Sequence, residues 1–281
     1  MRHPYFLGCP QWQHPDWHRV LPPGPSPLAR YSQVFNCVEG NTTFYATPSP
    51  DQCEQWRSQV PDDFRFVFKL PRRITHDQLL AGVGQQVEDF LGLLDPLRDV
   101  LGPLLLQLPP TFGPGHLDHL WRVIDSLPSP LTCAVEVRHP EFFDKGEAER
   151  ALNRGLRERT LARVCFDTRA LFSEPATDDA TREAQQKKPR LPVHVLPGEA
   201  PPVIRYIGHP DLEANRPYLQ PWVDRIAEWT LEGRCPYLFI HMPDNGDALQ
   251  LARLWNELLT HCLPTADFPG LVWKEPQLGL F

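Results

Sequence analysis

Leu104-Leu-Leu-Gln-Leu108, Cys133-Ala-Val-Glu-Val-Arg138 and Ala162-Arg-Val-Cys-Phe-Asp167 are the runs that decide how this chain folds. Each is short, apolar and bounded by turn-forming or charged residues, which reads as a buried β-strand. Between the first two, His116–Leu127 sets Leu117, Leu120, Trp121 and Ile124 at helical spacing. Between the second and third, Glu147–Arg159 reads as another helix. Strand, helix, strand in that order implies parallel strands joined by right-handed crossovers. Outward in both directions the pattern repeats. Tyr5–Cys9, Phe35–Gly40 and Phe64–Leu70 precede it, and Val203–Gly208 and Tyr237–His241 follow. Helical segments are expected over Gln52–Val60, Gln85–Val100, Tyr218–Leu231 and Asp247–Leu263. Ser49 stands before the first of these as a cap, with Pro50 in its first turn. Eight such units suit an α/β fold of the TIM type, a (β/α)8 barrel forming one domain over residues 1–281. An open doubly wound sheet is the alternative that periodicity leaves standing.

The chain has 281 residues, 33 of them proline, roughly twice the usual share. Proline is excluded from helix interiors and central strands, so these residues punctuate many short elements. The net charge of −7 carries no global nucleic-acid footprint. No apolar run reaches the ~18 residues a membrane span needs, and no secretory leader is recognisable. Seven cysteines, an odd number without any C-x-x-C, read as reduced and mostly buried thiols in a cytoplasmic protein.

In a parallel α/β barrel the site lies at the C-terminal strand ends. Reading each run to its end gives Gln11 and Trp12, Glu39 and Asn41, Lys69, Gln107, Glu136 and Arg138, Asp167, Arg205, and His241. Glu136 and Arg138 are two apart, hence on one face and ~7 Å apart along the strand. Among these ends Glu39, Glu136 and Asp167 are balanced by Lys69, Arg138 and Arg205. A site for a divalent cation needs a surplus of carboxylate. The balance here favours a funnel that pairs its own charges and holds a small anionic ligand through Arg and Lys. The structural alternative is an ion-pair lattice that merely closes the barrel top.

His76 after the third run and His139 after the fifth titrate near neutrality and are acid–base candidates. Structural hydrogen bonding is the commoner use of such a histidine. Trp12 and Trp17 could line a mouth or pack beneath the first loop. Phe64, Phe66 and Phe68 are packing residues, either filling the barrel or facing helices. Residues 168–202 form a long connection that includes a polar helix over Thr177–Lys188 and a proline-rich stretch after it. It reads equally as surface padding or as a flap over the mouth. The final Pro276–Phe281 segment reads as an arm. Phosphate-loop, dinucleotide-fold, serine-hydrolase and zinc-protease signatures are all missing from the sequence.

Gly8-Cys-Pro-Gln-Trp12, Phe35-Asn-Cys-Val-Glu-Gly-Asn-Thr-Thr-Phe-Tyr45, Phe64–Lys69 with Thr75-His76, Leu105–Pro110, Val135–His139, Asp167 and Arg205 together resemble the YecE-like family, domain of unknown function seventy-two. The resemblance spans the chain. It implies a TIM-type barrel with its site at the strand ends and supplies no reaction. Relatives carry Arg-x-His-Gly on the seventh strand where this chain reads Arg205-Tyr-Ile-Gly208, so a histidine role there passes to His241 or is lost.

Three functions compete. The first is an enzyme acting on a small phosphate- or carboxylate-bearing substrate without a cofactor. In it Glu39 is the acid or base, Glu136 orients, Asp167 and His241 complete the catalytic set, and Lys69 and Arg205 bind the anion. Trp12, Asn41, His76, Gln107, Arg138 and His139 line the ligand. The second is a metal-dependent phosphoesterase or isomerase using Glu39, Glu136, Asp167 and His241, which the charge balance disfavours. The third is a non-catalytic binding module for a small molecule or nucleic acid, the latter disfavoured by the net charge.

Overall fold

The computed structural model describes residues 3–196 and 198–262. All eight apolar runs are strands, every pairing between them is parallel, and helices alternate with them in a mixed α/β fold. They are β1 (Phe6–Gly8), β2 (Cys37–Gly40), β3 (Arg65–Phe68), β4 (Leu104–Gln107), β5 (Cys133–Glu136), β6 (Ala162–Arg163), β7 (Cys165–Asp167), β8 (Val203–Ile207) and β9 (Tyr237–His241). The sixth run is shared: β6 pairs with β5, β7 pairs with β8, and Val164 between them donates its N–H to Val135 O at 2.9 Å.

The expected continuous closed sheet is replaced by three ladders: β2-β3, β4-β5-β6, and β7-β8-β9-β1. The reason is that side chains and single bridges stand where ladder bonds would run. Between β1 and β2, Tyr31 Oη accepts from Cys9 N at 2.7 Å and donates to Cys37 O at 2.9 Å. Asn36 accepts from Leu7 N at 2.8 Å, and Glu39 N donates to Cys9 O at 3.0 Å. Between β3 and β4 only the bridges Phe66–Leu101 and Lys69–Leu105 occur.

At the first junction the backbones come so close that a Cβ on Gly8 would lie 2.3 Å from Cys37 O. Gly8→Ala must therefore push β1 from β2, a cost of about 1–3 kcal/mol for forced overpacking. Thermal melts are expected to show the loss, and a variant melting with the wild type would mean that the two strands part freely.

The helices are α1 (Pro27–Tyr31), α2 (Thr42–Tyr45), α3 (Pro50–Arg57), α4 (Gly84–Leu93), α5 (Leu117–Asp125), α6 (Glu147–Glu158), α7 (Asp179–Lys187), α8 (Arg216–Leu231) and α9 (Ala248–Cys262). Ser49 caps α3 by accepting from Gln52 N, as its position suggested. The helix expected over Gln85–Val100 stops at Leu93 and continues as a 3-10 stretch over Asp95–Val100, because Pro96 has no N–H to extend the α-ladder. Leu263 and the arm Pro276–Phe281 lie outside the described residues. Among those described, no helix is long and apolar enough to cross a membrane. Five of the seven cysteines are buried thiols.

Alternation along the strands divides the core. Phe6, Cys37, Val67, Leu105, Ala134, Ala162, Val164, Val203 and Phe239 gather in one cluster on the inward face. Their neighbours in sequence, such as Val38, Phe66, Leu106, Val135, Ile204 and Ile240, pack with the helices. Phe64, Phe66 and Phe68 belong to the helix side, where Trp56 of α3 stacks on Phe68 at 5.8 Å.

Candidate functional site

Strand side chains repeat every second residue, so the position two after an inward apolar residue faces inward again. From Cys37, Val67, Leu105, Ala134, Val164, Val203 and Phe239 that step reaches Glu39, Lys69, Gln107, Glu136, Phe166, Arg205 and His241. All seven are buried, and hydrogen bonds, ion pairs and a cation–π contact join them into one layer above the apolar one.

Arg205 is the hub. Its Nε and Nη2 donate to the two oxygens of Glu39 at 2.7 and 2.8 Å. Its Nη1 reaches Glu136 Oε2 and, at 3.4 Å, Gln107 Oε1. Lys69 Nζ lies 3.0 Å from Glu39 Oε1 and 3.0 Å from Gln107 Oε1. Arg138 Nε donates to Glu136 Oε1 at 2.8 Å. His241 Nε2 is 3.2 Å from Glu39 Oε2. Phe166 lies beneath both guanidinium groups, 5.1 Å from Arg205 and 5.4 Å from Arg138, and contributes cation–π attraction.

Burial alone would raise the Glu39 carboxyl, but Arg205, Lys69 and His241 outweigh it and hold it well below the usual range. Glu136 is likewise lifted by burial and pulled down, by Arg205 first and Arg138 second, to about 2. Both are carboxylates at neutral pH. Burial drives Lys69 down to about 7, with the neighbouring Arg205 charge acting in the same direction. Burial likewise takes His241 to about 4, so its imidazole is neutral at pH 7. Because ionised Glu39 can only accept, Nε2 of His241 carries the proton. Its Nδ1 has no hydrogen-bond partner among the described residues.

A cavity of about 630 Å³ opens above this layer, within the range typical of small-molecule sites. Lys69, Gln107, Arg138, Arg205 and His241 line its floor, while Glu39 and Glu136 lie behind them and do not. Trp12 and Asn41 stand on one wall. Trp12 leans edge-on against Trp56 at 5.3 Å, and Asn41 donates to Pro10 O at 2.8 Å. Ala180, Glu183, Ala184 and Lys187 of α7, with Lys188 after it, form another wall. The 168–202 connection thus contributes directly to the mouth. Glu183 is already paired with Lys187, and Asp244 on the rim accepts from Gly246 N at 2.9 Å.

Three sequence candidates fall elsewhere. Asp167 has the opposite parity to Phe166, so it faces the helices. There it accepts from Trp222 Nε1 of α8 at 2.8 Å and pairs with Arg169 at 2.8 Å. His139 caps the short 3-10 turn Pro140–Phe142 by accepting from Glu141 N. His76 is bonded to Thr75 Oγ1 at 2.9 Å, packs edge-on against Phe44, and is not among the cavity-lining residues. The set Glu39, Glu136, Asp167 and His241 therefore does not converge as metal ligands. Glu39 is also not placed to touch a ligand; it orients Arg205, Lys69 and His241.

Two residues were missed. Phe166 was legible from the Ala162, Val164, Phe166 alternation. Lys188, which the sequence marks only as the positive end of a polar helix, stands half-buried on the cavity wall. Burial, then Arg205, bring it down to about 8, and its ammonium has no partner among the described residues. Only the folded path of the connection brings it here.

A family model described as "Protein of unknown function DUF72" matches residues 6–270. The chain is 45% identical over 254 residues to UPF0759 protein YecE of Escherichia coli strain K12, covering 90% of this chain and 92% of that protein. It is 24% identical over an alignment of 301 residues to UPF0759 protein YunF of Bacillus subtilis strain 168, covering 98% and 99%. The crystal structure of a DUF72 family protein from Enterococcus faecalis V583 superposes with a TM-score of 0.66 at 18% identity, over 94% of this chain and 99% of that one.

Proposed function

The chain belongs to the DUF72 family, and from that premise we propose that its three ladders make up a TIM-type (β/α)8 barrel whose mouth binds a small phosphate- or carboxylate-bearing substrate and performs acid–base chemistry on it. The resemblance carried by the strand-end motifs is borne out at the level of the family. The observation that carries the functional reading is the layering of charge. Two carboxylates are hidden behind the groups they orient, so the floor presents Lys69, Arg138 and Arg205 to the cavity, with Lys188 on the wall. Held guanidinium groups are suited to phosphate and carboxylate oxygens and lose little freedom on binding.

His241 supplies the proton acceptor. Its Nε2–H is fixed by Glu39, which leaves the Nδ1 lone pair for a substrate proton. Burial is the main force lowering its basicity, and Arg205 and Lys188 add to it. An anion bound to those two cations offsets their effect and makes His241 a better base once substrate is present.

Orthophosphate titrated against the melting temperature, at constant ionic strength, tests the reading. At ~100 times the dissociation constant the expected stabilisation is about 2.7 kcal/mol, a shift of several degrees. Arg138→Ala and Lys188→Ala should each weaken it. A melting temperature unmoved by phosphate, sulfate and citrate, or a shift that persists undiminished in both variants, would remove the anion from this site.

A further inference from the structure

We propose that Lys69 is the reactive group of this cavity, its amine forming a Schiff base with the carbonyl carbon of an anion-bearing aldehyde or ketone. The inference rests on the anionic reading above and narrows it to carbonyl compounds.

The first support is charge. Within the bonded layer Glu39 and Glu136 supply two negative charges, and Arg205 and Arg138 already match them. Lys69 is the surplus cation, almost fully buried and beside a guanidinium that cannot give up its proton. It is the cation of the layer most readily neutralised, with the free amine well populated near neutral pH, as its lowered pKa of about 7 reflects.

The second support is stereochemical. A neutral amine has two hydrogens and one lone pair. Glu39 Oε1 and Gln107 Oε1, each 3.0 Å from Nζ, take the two hydrogens. The lone pair is the remaining valence, on a side chain that lines the cavity. A desolvated lysine next to a second cation is an activated nucleophile of a recognised kind. The buried thiols offer no rival. Cys9 and Cys37 are raised by burial, and neither lines the cavity.

The step balances without an oxidant or reductant. The Nζ lone pair forms a C–N bond as the carbonyl π pair moves to oxygen. The two amine hydrogens then leave with that oxygen as one water, giving the imine. Uptake of one proton from solvent gives the iminium, whose positive charge lies beside the Glu39 carboxylate. Arg205, Arg138 and Lys188 hold the anionic group, and His241, which shares Glu39 with Lys69 and lines the same cavity, serves as the base for a carbon next to the iminium.

Pyridoxal 5′-phosphate joins an aldehyde to a phosphate and serves as the probe. The full chain is incubated with it, with or without orthophosphate, reduced with borohydride and mapped by peptide mass across its five lysines. The expected result is a pyridoxyl-phosphate adduct on Lys69, formed at least about tenfold faster than on exposed Lys145, suppressed by orthophosphate and missing in Lys69→Arg. The wild-type map decides the matter even if that variant folds poorly. Labelling confined to Lys187 or Lys188, or none, in a protein that orthophosphate still stabilises overturns the amine proposal and leaves the anion site standing. No labelling together with no stabilisation overturns both.

Discussion

Arg205→Met is expected to destabilise the protein by about 3–5 kcal/mol, because it leaves the buried carboxylates of Glu39 and Glu136 without their shared counter-ion. For a chain of this size that corresponds to a fall in melting temperature of roughly 10 °C. Arg205 meets Glu39 through two hydrogen bonds and Glu136 through another, with both carboxylates almost wholly shielded from water. Removing one partner of a buried pair exposes the full desolvation penalty of the other, whereas removing both sides does not. Adding Glu39→Gln and Glu136→Gln to Arg205→Met should therefore recover part of the loss. Thermal melts of the single and triple variants measure it. A triple variant less stable than Arg205→Met would show that hydrogen bonding by the two glutamates, and not their unpaired charge, dominates.

Acidification is expected to weaken the fold in two stages. His241 has its folded pKa lowered from 6.5 to about 4 by burial, against the pull of Glu39. Between those values the unfolded chain binds the proton and the folded one does not, so stability falls as pH falls, by about 1.4 kcal/mol per pH unit. Across the window this amounts to roughly 3 kcal/mol. His76, lowered to about 4 by burial and then by Arg138, acts in the same direction, but it is half-exposed and its share is reduced by solvent screening. Below about pH 4.5 Glu136 takes over. Its folded value of about 2 means that its stabilising contribution, complete above the unfolded pKa, is lost as pH falls toward 2. Urea midpoints at pH 7, 5.5 and 4.5 read the first stage. His241→Gln keeps an amide donor for Glu39 but cannot titrate, so its midpoint should vary less steeply. Parallel slopes for the two proteins would contradict a buried neutral imidazole.

Most of the site was legible because strands alternate. Glu39, Lys69, Gln107, Glu136, Arg205 and His241 could each be read as the polar end of an apolar run, and contacts do join them. Asp167 shows how the reading failed. The last polar residue of its run is not the residue of inward parity, which is Phe166, and a step of one residue turns a side chain to the other face. His76 and His139 failed for a different reason. A histidine after a strand has local partners within two residues, Thr75 and the Glu141 N–H, and those partners claimed both rings.

The sequence by itself determined which apolar runs become strands, their parallel order, most of the longer helices and most of the inward polar layer, because these depend on periodicity and on neighbours along the chain. Only the tertiary structure decided what that layer does. Which carboxylate meets which cation, the burial that brings Lys69 down and keeps His241 neutral, and the arrival of Lys188 at the mouth all depend on residues brought together from up to two hundred positions apart. Charge and solvation are properties of that assembled space, and no local pattern encodes them.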